Sequence, residues 1–199
     1  MTEAVDHLLY LHGFRSSPQS FKARRLEAWL RQHRPDVTWA CPQLPPSPQA
    51  AMEQARHLVE GWSKARFAVL GSSLGGFYAT VLAGHYGCPA VVMNPAVDPA
   101  RDLAAHVGEQ TAFHNPASRF VFEPGFIDEL RRLEPGPIAR PQLCLAIIAK
   151  GDELLDWREM AGRYAGCNLR LVDGSDHGLT DFDEHLPVLL DFLGLRRRG

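Results

Sequence analysis

The ten residues from Phe67 to Gly76 read FAVLGSSLGG, and they decide the fold class. The apolar run from Phe67 to Leu70 is typical of a buried strand, and the residues after Gly76 are typical of a helix. Between the two stands the pattern G-x-S-x-G, over residues 71–75. Ser73 is therefore predicted to lie at a sharp strand-to-helix turn. Glycine is required at 71 and 75 because a side chain at either position would collide with the neighbouring strand or helix.

A turn of this kind has a chemical use as well as a structural one. It lifts the serine hydroxyl out of the sheet and points the N–H of Leu74 to the same side, so it offers a nucleophile and one donor of an oxyanion hole. The five-residue pattern alone is equally compatible with a glycine-rich turn without chemistry. Two phosphate-binding loops are excluded, because no lysine follows Gly75 and the glycine spacing is not that of a dinucleotide fingerprint.

Length and composition indicate an ordinary globular protein. The chain has 199 residues, 45% hydrophobic and 22% charged, which suggests one domain or a domain with one large insertion. The net charge of −2 gives no reason to expect a nucleic-acid partner. The arginines at 196–198 are interpreted as a solvated tail. The four cysteines show no C-x-x-C spacing, so they are predicted to be mostly buried free thiols, without a metal site or a disulfide framework.

The sequence also predicts the cellular location of the protein. Residues 1–20 lack a long apolar segment, and no stretch is long enough to span a bilayer, so we predict neither a signal peptide nor a membrane span. A reducing, cytoplasmic location is the default expectation.

Strand-like and helix-like segments alternate along the chain. Apolar-rich runs predict strands at 8–11, 37–41, 66–70, 90–93, 142–149 and 169–172. Helices are predicted from Ser17-Pro18, from Ser47-Pro48 to about residue 62, from the serine turn to about Tyr86, at 157–165, and at 184–193 with Pro187 in its first turn. This pattern predicts a mostly parallel sheet with helices on both faces.

One segment breaks the alternation. Residues 95–141 contain no convincing strand and many glycines and prolines, with short helices predicted around 99–106 and 125–133. We interpret the segment as a small helical lid inserted above the carboxyl edge of the sheet, within a single domain of residues 1–199. The alternative is a long connection, which is uncommon in a compact domain.

Ligands of open parallel sheets bind beyond the carboxyl ends of the strands, so polar residues directly after each strand are candidates. Ser73, Asp152 and His177 all occupy such places, in the chain order nucleophile, acid, base. His177 would take the proton of the Ser73 hydroxyl during attack and return it to the leaving group. Asp152 would hold the imidazole in the required tautomer.

Further candidates surround these three residues. The Phe14 N–H is predicted as the second oxyanion donor, beside that of Leu74. Gly13, Arg15 and Asn94 are candidate substrate-binding residues: Gly13 allows close approach of the backbone, and Asn94 follows a strand. Arg15 would favour anionic substrates, and the alternative for it is an ordinary surface arginine.

Each assignment has a competitor. Asp156 and Asp176 compete with Asp152, but Asp156 is predicted to cap a helix, and the side chain of Asp176 would point away from the neighbouring histidine. Ser72 competes with Ser73 and is predicted to face into the fold. His177 stands in a glycine-containing, flexible loop, which favours it over the other histidines.

With these residues assembled, the chain resembles the α/β-hydrolase superfamily, and more narrowly the small bacterial YqiA-type esterases of the UPF0227 group. The resemblance extends from the first strand to the C-terminus. It rests on the segments YLHGF (10–14), SSP (16–18), PQLPP (42–46), GSSLGG (71–76), NPAV (94–97), GDE (151–153) with LD (155–156), and DFLGL (191–195). Two departures are Arg15 and the sequence SDHG around His177. The resemblance implies a minimal α/β-hydrolase fold and a serine esterase with the triad Ser73, Asp152 and His177.

The predicted activity is hydrolysis of small-molecule carboxylic esters through an acyl-enzyme, without a metal or organic cofactor. Hydrolysis of thioesters, including acyl-CoA, is the first alternative, because the same groups cleave both bonds. A non-catalytic binding protein on the same fold is the second alternative, since fold alone does not give function. The sequence does not indicate an oligomeric state.

Overall fold

The computed structural model describes residues 5–196, apart from the side chain of Pro116. Arg197 and Arg198 of the expected solvated tail lie outside the described residues. Six strands form one sheet in the order β2-β1-β3-β4-β7-β8, and every neighbouring pair is parallel. The strands are β1 (His7–Leu11), β2 (Thr38–Ala40), β3 (Phe67–Ser72), β4 (Ala90–Met93), β7 (Cys144–Ala149) and β8 (Asn168–Val172). The predicted fold class, a sheet of parallel strands in an α/β architecture, is confirmed.

Helices cover both faces of this sheet. The helices are α1 (Phe21–His33), α2 (Pro48–Leu58), α3 (Leu74–Tyr86), α4 (Pro99–Asp102), α5 (Gly125–Leu133), α6 (Trp157–Arg163) and α7 (Phe182–Phe192). Alternate residues of β1 enter two separate apolar clusters. Leu8 and Tyr10 pack in the cluster with α1 and α7, whereas Leu9 and Leu11 pack in the cluster with α2 and α3. Burial on both faces explains why the strands read as continuous apolar runs.

The structure corrects several predicted helix boundaries. The first helix begins at Phe21, not at Pro18. Ser17 and Pro18 instead form a turn, because the Ser17 hydroxyl accepts a hydrogen bond from the N–H of Gln19 at 3.1 Å. Pro187 lies in the interior of α7 and not in its first turn, because the helix already begins at Phe182. At α2 the predicted cap is confirmed, since Ser47 accepts from the N–H of Ala50, but the helix ends at Leu58 and not near residue 62.

The segment 95–141 contains a sheet that the sequence pattern did not indicate. After α4 and a short 3₁₀ turn, an antiparallel hairpin is formed by β5 (Gly108–Ala112) and β6 (Asn115–Phe122). The hairpin shows no apolar run because most of its residues are exposed or half-buried. Both short helices expected in this segment are present, as α4 with the 3₁₀ turn and as α5. The insertion is therefore a hairpin flanked by helices and not a purely helical unit.

Three further features concern the cysteines, the length of the helices and the clustering of metal-binding side chains. All four cysteines are free, Cys88 and Cys144 buried and Cys41 and Cys167 half-buried. None of the helices described between residues 5 and 196 has the length and apolar character that a bilayer crossing requires. The same residues hold no group of three or more histidine, cysteine, aspartate or glutamate side chains placed to hold a metal ion.

Candidate active site

The serine turn (residues 71–76) is held by steric contact. Ser73 has φ 56° and ψ −122°, a conformation that non-glycine residues rarely adopt. A Cβ added to Gly71 would lie 2.0 Å from the carbonyl oxygen of Gly75, and a Cβ added to Gly75 would lie 1.9 Å from that of Leu11. The start of α3 therefore packs directly on β3 and on the end of β1, and this confirms the predicted need for glycine at both positions.

The β1 loop (residues 12–16) lies against this turn. A Cβ on Gly13 would be 3.1 Å from the Cβ of Ser73 and 3.3 Å from the carbonyl oxygen of Ser72. Within residues 5–196, the backbone N–H groups of Phe14 and Leu74 donate to no other group of the protein. The two predicted oxyanion donors thus have no acceptor among the described residues.

His12 fixes the β1 loop. Its Nδ1–H donates to the carbonyl of Gly13 at 3.0 Å, and its Nε2 accepts from the N–H of Leu44 at 3.0 Å. Burial lowers the pKa of His12, while its bond to Gly13 opposes the shift. A neutral imidazole satisfies both bonds, so His12 is a loop-holding residue, as its position beside the loop suggests.

The structure brings His177 and Asp152 together. The Nδ1–H of His177 donates to Oδ2 of Asp152 at 2.8 Å. The other carboxylate oxygen, Oδ1, accepts from the N–H groups of Leu154 and Leu155 at 2.9 and 2.8 Å. The Asp152 side chain is fully buried, whereas 18% of the His177 side chain is exposed. This pairing places the imidazole proton on Nδ1 and leaves Nε2 as an acceptor.

Polar contacts also fix the backbone of the histidine loop (residues 173–179). The N–H of His177 donates to Oε2 of Glu153 at 2.9 Å, and its carbonyl accepts from Nδ2 of Asn94 at 3.1 Å. The carbonyl of Gly178 accepts a hydrogen bond from Nζ of Lys22. The loop that the glycines indicated as flexible is therefore tied to the loops after β4 and β7 and to α1.

Asn94 is a part of this scaffold. The residue is fully buried and has φ 41°, and its Oδ1 accepts from the N–H of Ala149 at 2.8 Å. Its Nδ2 donates to the carbonyls of Asp176 and His177. The predicted contact of Asn94 with substrate is not supported, because its side chain has no exposed surface and is occupied by backbone groups.

The two competing aspartates take the places expected of them, whereas Ser72, predicted to face into the fold, is buried but lines the same cleft as Ser73. Asp156 caps α6 by accepting from the N–H of Arg158 at 2.9 Å. The carboxylate of Asp176 accepts from the N–H and the hydroxyl of Thr180, both at 3.0 Å. Among the carboxylates of residues 5–196, the hydrogen-bond partner of the His177 ring is Asp152.

Two depressions lie on either side of the β1 loop, and one of them contains Ser73. The polar cleft, about 240 Å³, takes its name from Ser73, His177, Lys22 and the hydroxyl residues that line it, which are Tyr10, Ser16, Ser20 and Ser72. Phe14, Phe113 and Gly178 also line it. The apolar groove, about 520 Å³, runs between the β1 loop, residues 43–46 and the hairpin, and its lining includes Leu74, Tyr78 and Phe120. Gly13 and Phe14 line both depressions, so the β1 loop separates them.

Arg15 joins the hairpin to the β1 loop. Its Nε–H donates to the carbonyl of Thr111 at 2.7 Å, and its guanidinium lies 4.3 Å from the ring centre of Phe113. The N–H of Phe113 donates to the carbonyl of Arg15 at 2.8 Å. Arg15 also lines the apolar groove, so its predicted role in substrate binding stays a prediction beside this docking role.

The chain is similar to the members of one protein family over nearly its whole length. A family model described as "Uncharacterised protein family (UPF0227)" matches residues 7–194. The chain belongs to this family. The UPF0227 protein of Yersinia pseudotuberculosis serotype O:1b (strain IP 31758) is 24% identical over 189 residues, which cover 93% of this chain and 97% of that protein.

Solved structures place the UPF0227 chain in a larger fold group. Mouse alpha/beta hydrolase domain-containing protein 10 superimposes with a TM-score of 0.69 and 14% identity, over 94% of this chain and 90% of that one. A structure from the description of LipS and LipT, two metagenome-derived lipolytic enzymes, gives a TM-score of 0.72 and 17% identity, over 97% and 95% of the two chains. The fold is that of the α/β-hydrolases.

Sequence reasoning missed one residue of this site. Lys22 is 7% exposed on the inner side of α1, with its ammonium group in the polar cleft. Lys22, Leu26 and Leu30 are spaced by four residues, which puts the lysine on the same helix face as two core leucines. A charged residue on an apolar face was the signal that could have found it.

Proposed function

We propose that this chain is a serine esterase, which hydrolyses carboxylic esters of small to medium acyl chains through an acyl-enzyme on Ser73. One observation carries the proposal. A serine in a sterically imposed turn, beside two N–H groups without acceptors, shares a cleft with a histidine whose Nδ1–H is bound by a buried carboxylate. A non-catalytic turn would have no need of this combination.

The geometry supports a definite sequence of steps. The Ser73 hydroxyl attacks the ester carbonyl while Nε2 of His177 accepts its proton. The N–H groups of Phe14 and Leu74 stabilise the oxyanion of the tetrahedral intermediate. His177 then gives the proton to the leaving alcohol, and an acyl-enzyme remains. Water, deprotonated by His177, attacks the acyl-enzyme through a second tetrahedral intermediate, and Ser73 regains its proton as the carboxylic acid leaves.

Asp152 would act throughout on His177. Its buried carboxylate keeps the imidazole in the tautomer that accepts at Nε2 and stabilises the imidazolium that forms. The two backbone N–H groups on Oδ1 leave Oδ2 for the imidazole and fix its direction. Asn94 and Glu153 would be positioning residues, since they hold the backbone of His177 and do not reach the reacting atoms.

The apolar groove is the proposed site of the acyl chain. It begins at Leu74 and Phe14, beside the proposed oxyanion hole, and its further lining includes Leu44, Pro45 and Phe120. Residues 95–141 would act as its lid, because the hairpin forms one wall and is docked on the β1 loop through Arg15 and Phe113. No step of this chemistry calls for a metal or an organic cofactor.

A fluorophosphonate probe with peptide mass spectrometry tests the proposal. The probe is expected to label Ser73 in the wild-type protein and to lose this adduct in Ser73→Ala. Ser72→Ala is the matched control, since this neighbouring serine belongs to the same turn and should leave the adduct on Ser73. Absence of an adduct on folded protein would contradict an activated serine and would favour the binding-protein alternative.

A substrate series then separates ester from thioester. Nitrophenyl esters and acyl-CoAs of equal acyl length are compared by kcat/KM. We expect the esters to be turned over faster, with rates that change with chain length as the groove fills. Faster turnover of the acyl-CoAs would establish the thioesterase alternative instead.

A further inference from the structure

The ammonium group of Lys22 forms no direct ion pair with a carboxylate of residues 5–196. Its side chain lies within the fold at 7% exposure, and the described hydrogen bond of its ammonium group goes to the neutral carbonyl of Gly178. Within residues 5–196, no carboxylate oxygen lies within 4.0 Å of Nζ. A buried ammonium without a counterion is destabilising, because the group has left water without gaining an opposite charge.

The two carboxylates that interact electrostatically with Lys22 are already hydrogen-bonded to other groups. Asp152 and Asp176 favour the charged form of Lys22 electrostatically. Asp152, however, binds the imidazole of His177 and two backbone N–H groups, and Asp176 binds the backbone and the hydroxyl of Thr180. Neither can turn to pair with Lys22 without giving up these bonds.

The cleft around Lys22 is rich in donors. The hydroxyl of Tyr10 is completely buried and lies near those of Ser20 and Ser72, yet neither Tyr10 nor Ser20 forms a hydrogen bond of good geometry there. The lysine has two further protons beyond the one given to Gly178. The hydroxyls of Tyr10 and Ser20 are enclosed by the protein, whereas the charge of Lys22 and its two remaining protons are complementary to an acceptor group with a single negative charge, such as a carboxylate.

The position of His177 indicates which part of the substrate would bear that carboxylate. In the proposed mechanism, His177 gives its proton to the leaving oxygen, so the leaving group lies on the His177 side of Ser73. Lys22 and His177 line the same polar cleft, whereas the apolar groove opens on the other side of the β1 loop. We infer that the polar cleft binds a carboxylate carried by the leaving alcohol, with Lys22 as its counterion, so that the substrates are esters of hydroxycarboxylic acids. This inference rests on the proposed esterase function.

The charge of Lys22 limits the pH range of the effect. Burial lowers the pKa of Lys22 to about 8, against the opposing charges of Asp176 and Asp152. The other titratable groups lining the cleft are His12 and Tyr10 from β1 and its loop and His177 from the histidine loop. Selection for the carboxylate is therefore expected at neutral pH and should be lost as the pH rises above about 8.

The test compares two esters that differ in one group. O-butyrylglycolate has a carboxylate on the leaving alcohol, and O-butyrylglycolamide has a neutral amide in its place. Each kcat/KM is divided by the rate of hydroxide-catalysed hydrolysis of the same ester, to remove intrinsic reactivity. The wild-type protein is expected to favour the glycolate ester roughly 10- to 100-fold at pH 7, as a hydrogen bond to a charged group would give.

Three variants identify the cause of the preference. Lys22→Met removes the charge and the donor, Lys22→Gln removes the charge alone, and both are expected to reduce the ratio of the two rates at least about tenfold. Arg24→Met, on the exposed side of the same helix, is the matched control and should leave the ratio unchanged. Equal losses on both esters, with rescue by glutamine, would overturn the inference and make Lys22 a positioning residue for the histidine loop.

A binding measurement separates this inference from the proposed function. Thermal unfolding measures how much free glycolate and free glycolamide each stabilise the protein. The two ligands are compared in the wild type and in the Lys22 variants. Stabilisation by glycolate alone, dependent on Lys22, would support the anion site even if neither ester is hydrolysed and Ser73 is not labelled. Equal effects of glycolate and glycolamide, or equal corrected rates of the two esters in the wild type, would overturn it.

Discussion

Ser73 and His177 line the same cleft, but the turn that carries the serine and the loop that carries the histidine are built from different contacts. The serine turn is fixed by glycines, whose absent side chains let three backbone segments touch. The histidine loop is fixed by hydrogen bonds that Asn94 and Lys22 donate to its carbonyls and that Glu153 accepts from the N–H of His177. Steric contacts act at any pH and tolerate no added atom, whereas polar contacts can be removed one at a time. The two regions should therefore fail in different ways when they are altered.

The largest effect is expected at Gly75. In Gly75→Ala the new Cβ would lie 1.9 Å from the carbonyl oxygen of Leu11, a backbone atom that cannot move without disturbing β1. We expect a loss of more than about 4 kcal/mol in the free energy of unfolding, or no folded protein. Urea unfolding measures this loss of stability.

Gly84→Ala is the control for this prediction. Gly84 belongs to the same helix, and a Cβ there meets nothing within 4 Å. Alanine should stabilise the helix by about 0.5 to 1 kcal/mol, since glycine is the poorer helix former. Equal effects of the two substitutions would show that the serine turn is not held by steric contact.

The second prediction removes the acid from the histidine loop. Asp152→Asn should lower kcat about 10³- to 10⁴-fold, because the amide no longer selects the tautomer that accepts at Nε2. Asp156→Asn should change kcat little, because asparagine caps a helix as well as aspartate does. Steady-state kinetics on one nitrophenyl ester compares the two, and a larger loss in Asp156→Asn would make our assignment of the acid wrong.

The third prediction loosens the histidine loop without touching the imidazole. Glycine can adopt the φ of 41° found at this position, so Asn94→Gly keeps the backbone conformation. The substitution removes the three hydrogen bonds that the Asn94 side chain forms with backbone groups. We expect kcat to fall roughly 10- to 100-fold through misplacement of His177, with KM nearly unchanged. Stability should fall by about 1 to 3 kcal/mol, because the buried N–H of Ala149 loses its acceptor.

Asn168→Ala provides the comparison for Asn94. Its Nδ2 also donates to two backbone carbonyls, those of Gln142 and Cys144, but at the start of β8 and outside both depressions. This variant should keep the wild-type kcat. If Asn168→Ala and Asn94→Gly reduced kcat alike, a general loss of stability and not the position of His177 would be the cause.

The same contrast explains what the sequence could predict. Steric requirements and strand burial leave local patterns, so the strands, the serine turn and the order of Ser73, Asp152 and His177 could be read from the chain. The carboxyl ends of parallel strands meet at one edge, and this made a residue directly after each strand a sound candidate. The bond between His177 and Asp152, 25 positions apart, follows from that rule.

Contacts between distant elements leave no such pattern. Glu153 and Asn94 reach the histidine loop through side-chain directions that only the packed sheet determines. The hairpin was missed because its strands face solvent on much of their surface and contain Gly108 and Pro116, residues that normally argue against strands. Its stability comes from pairing of the two strands and from packing of Phe120 and Phe122 on Phe14, neither of which is local.

The most specific effect is expected at Lys22 as the pH changes. The pKa of this lysine is about 8 in the folded chain, against about 10.4 for an unfolded lysine, so the unfolded state binds more protons between these values. Its contribution to stability is therefore unfavourable below pH 8 and is relieved as the pH rises towards 10. Burial raises the pKa of the Cys88 and Cys144 thiols, which lowers stability over much of the same range and obscures the effect in the wild type alone. The difference in the free energy of unfolding between wild type and Lys22→Met cancels the thiols and should shift in favour of the wild type from pH 7.5 to pH 10. If the difference in the free energy of unfolding did not depend on pH, Lys22 would be solvated in the folded protein. The contacts that fix the histidine loop would then include no buried charge.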